Sequence, residues 1–112
     1  MKSRFVTCLN CIDGRVQLPV IQWIMENYDV EYVDMITTPG MDGILSDNNS
    51  NIDDIQKKIK LSITVHLTSY IFIIGHHKCL ANPVTSKIHK EQIIKSVQRI
   101  KKLYPTHNRA MD

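Results

Sequence analysis

Five residues stand out by type and spacing. Cys11, Asp13 and Arg15 fall in the segment CIDGR, and His76 and Cys79 fall in GHHKC. Two thiolates and one imidazole suit zinc, and three protein ligands leave a fourth tetrahedral position for water. A purely structural zinc site takes four. Cys11 reads as a ligand because Asp13 and Arg15 accompany it, and His77 reads as a neighbour because the spacing favours His76. Asp13 with Arg15 is equally compatible with a plain structural ion pair. Cys8 lies inside an apolar run and reads as a small buried hydrophobe. With Cys11 it makes a C-x-x-C, which leaves a redox pair or a fourth ligand open. A thioredoxin-like pair belongs at a helix N-terminus, and Cys8 comes too early for that. Arg15 follows Cys11 too closely for the phosphate-cradling loop of a cysteine phosphatase.

These groups do chemistry together only if the chain brings them together. Residues 4–10 (RFVTCLN) predict a short buried strand, 31–37 (EYVDMIT) a second, and 70–74 (YIFII) a third and strongest. Val16, Val20, Ile21, Trp23 and Ile24 recur at helical spacing over 16–28, with Pro19 fitting the first turn. Residues 38–51 read as a loop rich in Gly, Asn and Asp. A second helix runs from about Asp53 to His66, capped by Ser50 or Asp53, with Ile55, Ile59, Ile63 and Leu67 on one face. A third spans about Lys87 to Leu103, burying Ile93, Ile94, Val97 and Ile100. The tail PTHNRAMD has no pattern and reads as frayed.

Alternating strands and helices predict an α/β three-layer sandwich, with a small, mainly parallel sheet in the order 2-1-3 and flanking helices. In that order the segments after the first and third strands meet at the carboxyl edge of the sheet, where ligands bind in open α/β folds. No G-x-G-x-x-G and no P-loop is present.

The 112 residues fit a single domain, 1–112. A net charge of +3 is too weak to argue for nucleic acid, and Lys87, Lys90, Lys95, Arg99, Lys101 and Lys102 read as a solvated helix face. No apolar run is long enough to span a bilayer, and MKSRFVTCLN lacks a signal-peptide core. The expectation is a cytoplasmic protein without nucleic-acid or membrane partners, its three cysteines reduced. Met25, Met35 and Met41 are expected to pack, and Trp23 to anchor the first helix in the core.

The pattern Cys11-Ile-Asp13-Gly-Arg15, then a strand and Gly75-His76-His77-Lys78-Cys79, resembles that of beta-class carbonic anhydrases. The resemblance covers roughly residues 4–100, and the two motifs together are specific where either alone is weak. It implies zinc (Zn2+) held by Cys11, His76 and Cys79, and a dyad in which Arg15 keeps Asp13 ionised and oriented. The implied reaction is hydration of carbon dioxide to bicarbonate, with a zinc-activated hydroxide as nucleophile. In some members the equivalent Asp instead closes the site as a fourth ligand. His77 or His66 would pass the proton to solvent. The pattern also departs from the family. Leu80 and Ala81 follow Cys79 where Gly-Gly is usual, and the larger Leu80 is expected to narrow the pocket. Thr38-Pro39-Gly40-Met41 replaces the usual glycine-containing loop. N-terminal helices that embrace a second subunit are lacking, as is a further strand after the last helix, which fits a minimal or truncated member. An open, isoleucine-rich third strand would then need cover, predicting a homodimer or higher oligomer. Two other readings stay open: a non-catalytic zinc-binding and oligomerisation module, and a hydrolase of a sulfur analogue of carbon dioxide.

Overall fold

A computed structural model describes residues 4–68, 70–105 and 108–111. Strand β1 (Phe5–Asn10) is buried along nearly its whole length, because the sheet is covered on both faces. Its side chains alternate. Val6 and Cys8 join Val20, Ile24, Phe72 and Ile74 in one apolar cluster. Leu9 joins Ile36, Ile71 and Ile73 in the other. Cys8 is fully buried, as expected of a small hydrophobe.

Helix α1 (Leu18–Asn27) carries Pro19 in its first turn and covers the first cluster with Val20 and Ile24. Strand β2 (Tyr32–Thr37) returns parallel to β1, with Phe5 opposite Tyr32 and Asn10 opposite Thr37. Helix α2 (Met41–Ser46) follows, then α3 (Asp53–His66) and β3 (Tyr70–Ile73), which pairs parallel to the other side of β1. Helix α4 (Ser86–Leu103) starts at Thr85, whose hydroxyl accepts from the Ile88 N–H. Met41 and Leu45 of α2, Ile55 and Ile59 of α3 and Ile100 of α4 all pack on the second cluster, opposite α1. The architecture is the expected α/β sandwich, with strands in the order β2-β1-β3.

Several expectations need correction. Met41–Ser46, read as loop, forms a helix; it is too short and too glycine-containing to leave a periodic signal. The cap of α3 is Ile52, with no side-chain capping bond; the nearby Asn51 side chain accepts from the Asp53 N–H. Leu67 sits just past α3 in the left-handed region and is exposed, and Ile94 is also half-exposed. Residues 108–111 of the tail form strand β4 (Asn108–Met111), parallel to β3. The β3 edge is therefore paired within the chain, which removes the open-edge ground for an oligomer. The edge strands of the four-stranded sheet are β2 and β4.

Candidate metal centre

The loops leaving β1 and β3 converge because β1 has β2 on one side and β3 on the other. Asn10, at the end of β1, is fully buried and works on its own loop. Its side-chain oxygen accepts from the Cys11 N–H at 2.8 Å, and its Nδ2 donates to the Val16 carbonyl at 2.9 Å. The Gln17 side chain donates to the Cys11 carbonyl at 2.6 Å. Cys11 is thus fixed from both sides before any ligand arrives.

On the other loop, Lys78 adopts a left-handed φ of 57°, an uncommon conformation for a side-chain-bearing residue. Cys79 follows it and is buried. Its Sγ lies 3.8 Å from that of Cys11. With His76 these form the one group of three potential ligands found among the described residues, their donor atoms all within 4.8 Å of one another. The orientation of His76 is set by its Nδ1, 2.9 Å from the His77 carbonyl. Its Nε2 is buried and has no hydrogen-bond partner among the described residues. A buried ring nitrogen without a partner is costly, and a metal among two thiolates would satisfy it. The residues present therefore fit a zinc-type ion.

Electrostatics favour one thiolate over the other. Burial pushes the Cys11 thiol up, but the Gly40 and Asp13 backbone groups, with His76 and Cys79, outweigh it and bring Cys11 down to about 7. Cys79 goes up, through burial and its contact with Cys11. Gly40 precedes α2 with a φ of 63°, and a Cβ there would stand 3.1 Å from the Ala81 carbonyl and the Asn82 side chain. Only glycine brings that backbone close to both loops.

Asp13 and Arg15 form a tight pair beside the cluster. Arg15 donates from its Nε at 3.0 Å to each Asp13 oxygen, from Nη2 at 2.5 Å, and from its backbone N–H at 2.9 Å. The hydrogen bonds from Arg15 hold the Asp13 carboxyl well below the usual range, and Asp13 in turn raises Arg15. A cavity of about 270 Å³ opens between Arg15, His76, Val16, Val20, Trp23 and Ile74. Trp23 is therefore not a core anchor. It is 38% exposed, set edge-on to Phe72, and walls this cavity. Met25 is exposed rather than packed, Met41 is fully buried, and Met35 is partly buried against the first cluster.

Leu80 is 92% exposed, so its side chain does not narrow the pocket. His77 sits on the ligand loop, 2.7 Å from the Ser86 hydroxyl. His66 does not reach the site. It stacks on Phe5, at the far end of β1 from Cys11. A larger cavity, about 870 Å³ and lined by Lys95, Arg99, Lys101 and Lys102, contains none of the cysteines or histidines.

Sequence reasoning passed over Asp42, Asn82 and His89. Asp42 is buried in the first turn of α2. One oxygen accepts from the Gly43 N–H at 3.0 Å and from Asn82 Nδ2 at 2.9 Å; the other accepts a hydrogen bond from His89 Nδ1 at 2.6 Å. Asp42 and His89 fall in the first turns of α2 and α4, and Asn82 in the loop between β3 and α4; those positions were their only signal.

An α/β sheet with two thiols and an imidazole converging at its carboxyl edge defines a class of candidate metalloproteins. The chain matches the family described as "Putative carbonic anhydrase" over residues 1–109, and it belongs to that family. No curated protein and no solved structure gives a significant match. Among the described residues no helix is long and apolar enough to cross a membrane.

Proposed function

We propose that this chain, acting as one domain, hydrates carbon dioxide to bicarbonate at a zinc ion held by Cys11, His76 and Cys79. The observation that carries the reading is the convergence of these three donors beside the Asp13–Arg15 pair. Zinc, when bound, lowers the pKa of its water to about 7 and so supplies a nucleophile at neutral pH. The chain's own residues do the rest. Arg15 keeps Asp13 ionised, so Asp13 is an acceptor only and orients the attacking water through one hydrogen bond. The cavity walled by Val16, Val20, Trp23 and Ile74 offers a small apolar molecule a place next to His76. The released proton leaves through exposed His77, with Ser86 as its neighbour.

A cytoplasmic homodimer belongs to the same proposal; exposed Ile12, Leu18 and Leu80 supply its apolar surface, and sedimentation at micromolar concentration tests it. The non-catalytic reading loses one ground with the exposure of Leu80. Stopped-flow carbon dioxide hydration, with zinc measured on the same sample, tests the activity. Zinc-loaded protein should exceed the buffer rate, and Asp13→Ala should lose that excess while keeping its zinc. Zinc-loaded wild-type protein no faster than buffer sinks the catalytic reading.

A further inference from the structure

The candidate ligands come from two loops, and a third segment, the turn at Gly40, supports them from the side. One buried amide joins all three. Asn82 donates from its Nδ2 to Asp42 Oδ1 at 2.9 Å and to Gln92 Oε1 at 2.7 Å, which uses both protons of the amide. The side chain is thereby fixed between α2 and α4. A Cβ on Gly43 would stand 2.9 Å from both Asn82 Cγ and Nδ2 and 3.0 Å from Oδ1, so the amide lies face-on to that glycine. A Cβ on Gly40 would stand 3.1 Å from Asn82 Cβ. The Asn82 backbone N–H donates to the Cys79 carbonyl at 3.2 Å and closes the turn that presents this thiol. Asp42, which accepts from the amide, packs its other oxygen against Gly75, the residue before His76. The backbone of Gly40 hydrogen-bonds the Cys11 thiol, and the backbones of Ala81 and Asn82 hydrogen-bond that of Cys79.

We propose that Asn82 is a positioning residue of the metal centre: by clamping the Gly40 turn to the loop after β3, it sets the separation of the Cys11 and Cys79 sulfurs. This role rests on the reading of Cys11, His76 and Cys79 as ligands, and not on any particular reaction. Two sulfurs bound at about 2.3 Å to a tetrahedral zinc stand about 3.8 Å apart. The two sulfurs of this chain are 3.8 Å apart. Holding them there in advance spares the ion the cost of ordering two loops. The clamp needs an amide. A leucine of similar branching would leave Asp42 Oδ1 and Gln92 Oε1 without the donor they share, and the Gly40 turn would part from the Cys79 loop.

The test measures zinc affinity by chelator competition, and the visible spectrum of the cobalt-loaded protein, on the purified full chain and three variants. Asn82→Leu removes both hydrogen bonds and should weaken zinc about tenfold to a hundredfold. Its sulfur-to-cobalt bands should also shift, because the two thiolates leave the tetrahedral separation. Gln92→Leu removes one of the two acceptors and contacts no candidate ligand. It should weaken zinc in the same sense by a smaller factor, and it carries the test if Asn82→Leu does not fold. Ser62→Ala is the control. It loses buried hydroxyl contacts to Thr7 and Asp34, so it should melt lower yet keep wild-type zinc affinity and cobalt spectrum. Asn82 and Gln92 variants that melt lower but bind both metals as wild type does would show that Asn82 holds only the fold, and would overturn its role at the metal. Wild-type protein that takes up neither metal is a different result, and removes the ligand reading itself.

Discussion

The described residues include two aspartate–histidine pairs with the same contact, Nδ1 to Oδ2 at 2.6 Å, in contrasting surroundings. Asp34 lies in the middle of β2, opposite Thr7 of β1, and its partner His66 ends α3. Ser62 also donates to Asp34, and Thr7 bonds Ser62 and Thr68 at 2.7 Å each. That pair ties a helix end to the sheet, and its side chains are 37% and 23% exposed. Asp42 and His89 stand past the strand ends, 3% and 5% exposed, beside the loop that carries His76. One pair is spent on mid-sheet architecture. The other sits where loops diverge, with a ring nitrogen left over. Position relative to the carboxyl edge, rather than residue type, separates them.

The largest expected effect tests whether chemistry belongs to that edge. Cys11→Ser should reduce zinc from near one per chain to near none, because two remaining protein ligands hold zinc poorly. His66→Ala should leave zinc content unchanged. Equal zinc in both variants would erase the distinction. Next comes stability. Asp42→Ala removes the buried acceptor that holds His89, Asn82 and the Gly43 N–H and should cost about 3 to 5 kcal/mol in urea unfolding. Asp34→Ala, at a partly solvated pair, should cost about 1 kcal/mol. Similar losses would mean that burial does not divide the pairs.

Much of this contrast was legible in the sequence, and some was not. The parallel sheet followed from the alternation of elements; the 2-1-3 order, which alternation leaves open, is the one in which the ligand segments meet. Cys11, His76 and Cys79 were visible because metal-binding residue types are scarce and their spacing is constrained. Asp42 and His89 were invisible because a buried hydrogen bond between distant residues leaves no periodicity. The 41–46 helix escaped because six residues span less than two turns. Strand β4 escaped because its pairing with β3 is a tertiary fact that four residues cannot announce.

A smaller effect concerns the contact that joins the buried pair to the ligand loop. A Cβ on Gly75 would fall 2.6 Å from Asp42 Oδ2 and 2.9 Å from Ile93 Cδ1. Both neighbours are buried, and the Asp42 oxygen is held by His89. Gly75→Ala should therefore cost about 1 to 3 kcal/mol through overpacking. It should also weaken zinc binding, since His76 is the next residue. A variant as stable as wild type would show that the pair and the loop are mechanically independent.

The smallest effect lies within the cluster and appears only in metal-free protein. Cys11 is lowered from 9.0 to about 7, whereas Cys79 is raised. An acid whose pKa falls on folding stabilises the native state when the pH is above its unfolded value. That contribution fades as pH drops through the folded value. For Cys11 the window runs between about 7 and 9, so metal-free protein should gain stability as pH rises across it. Cys79 acts in the opposite sense: its raised pKa costs stability once the pH passes its unfolded value, which caps the gain at the alkaline end. Urea midpoints of metal-free wild type should rise across the window, and those of Cys11→Ser should not. Thiolate absorbance of the wild type should begin near pH 7, from one cysteine only. A single unresolved titration near the ordinary cysteine value would mean that the Gly40 and Asp13 backbone groups do not bias the pair, and that the two sulfurs meet a metal as equals.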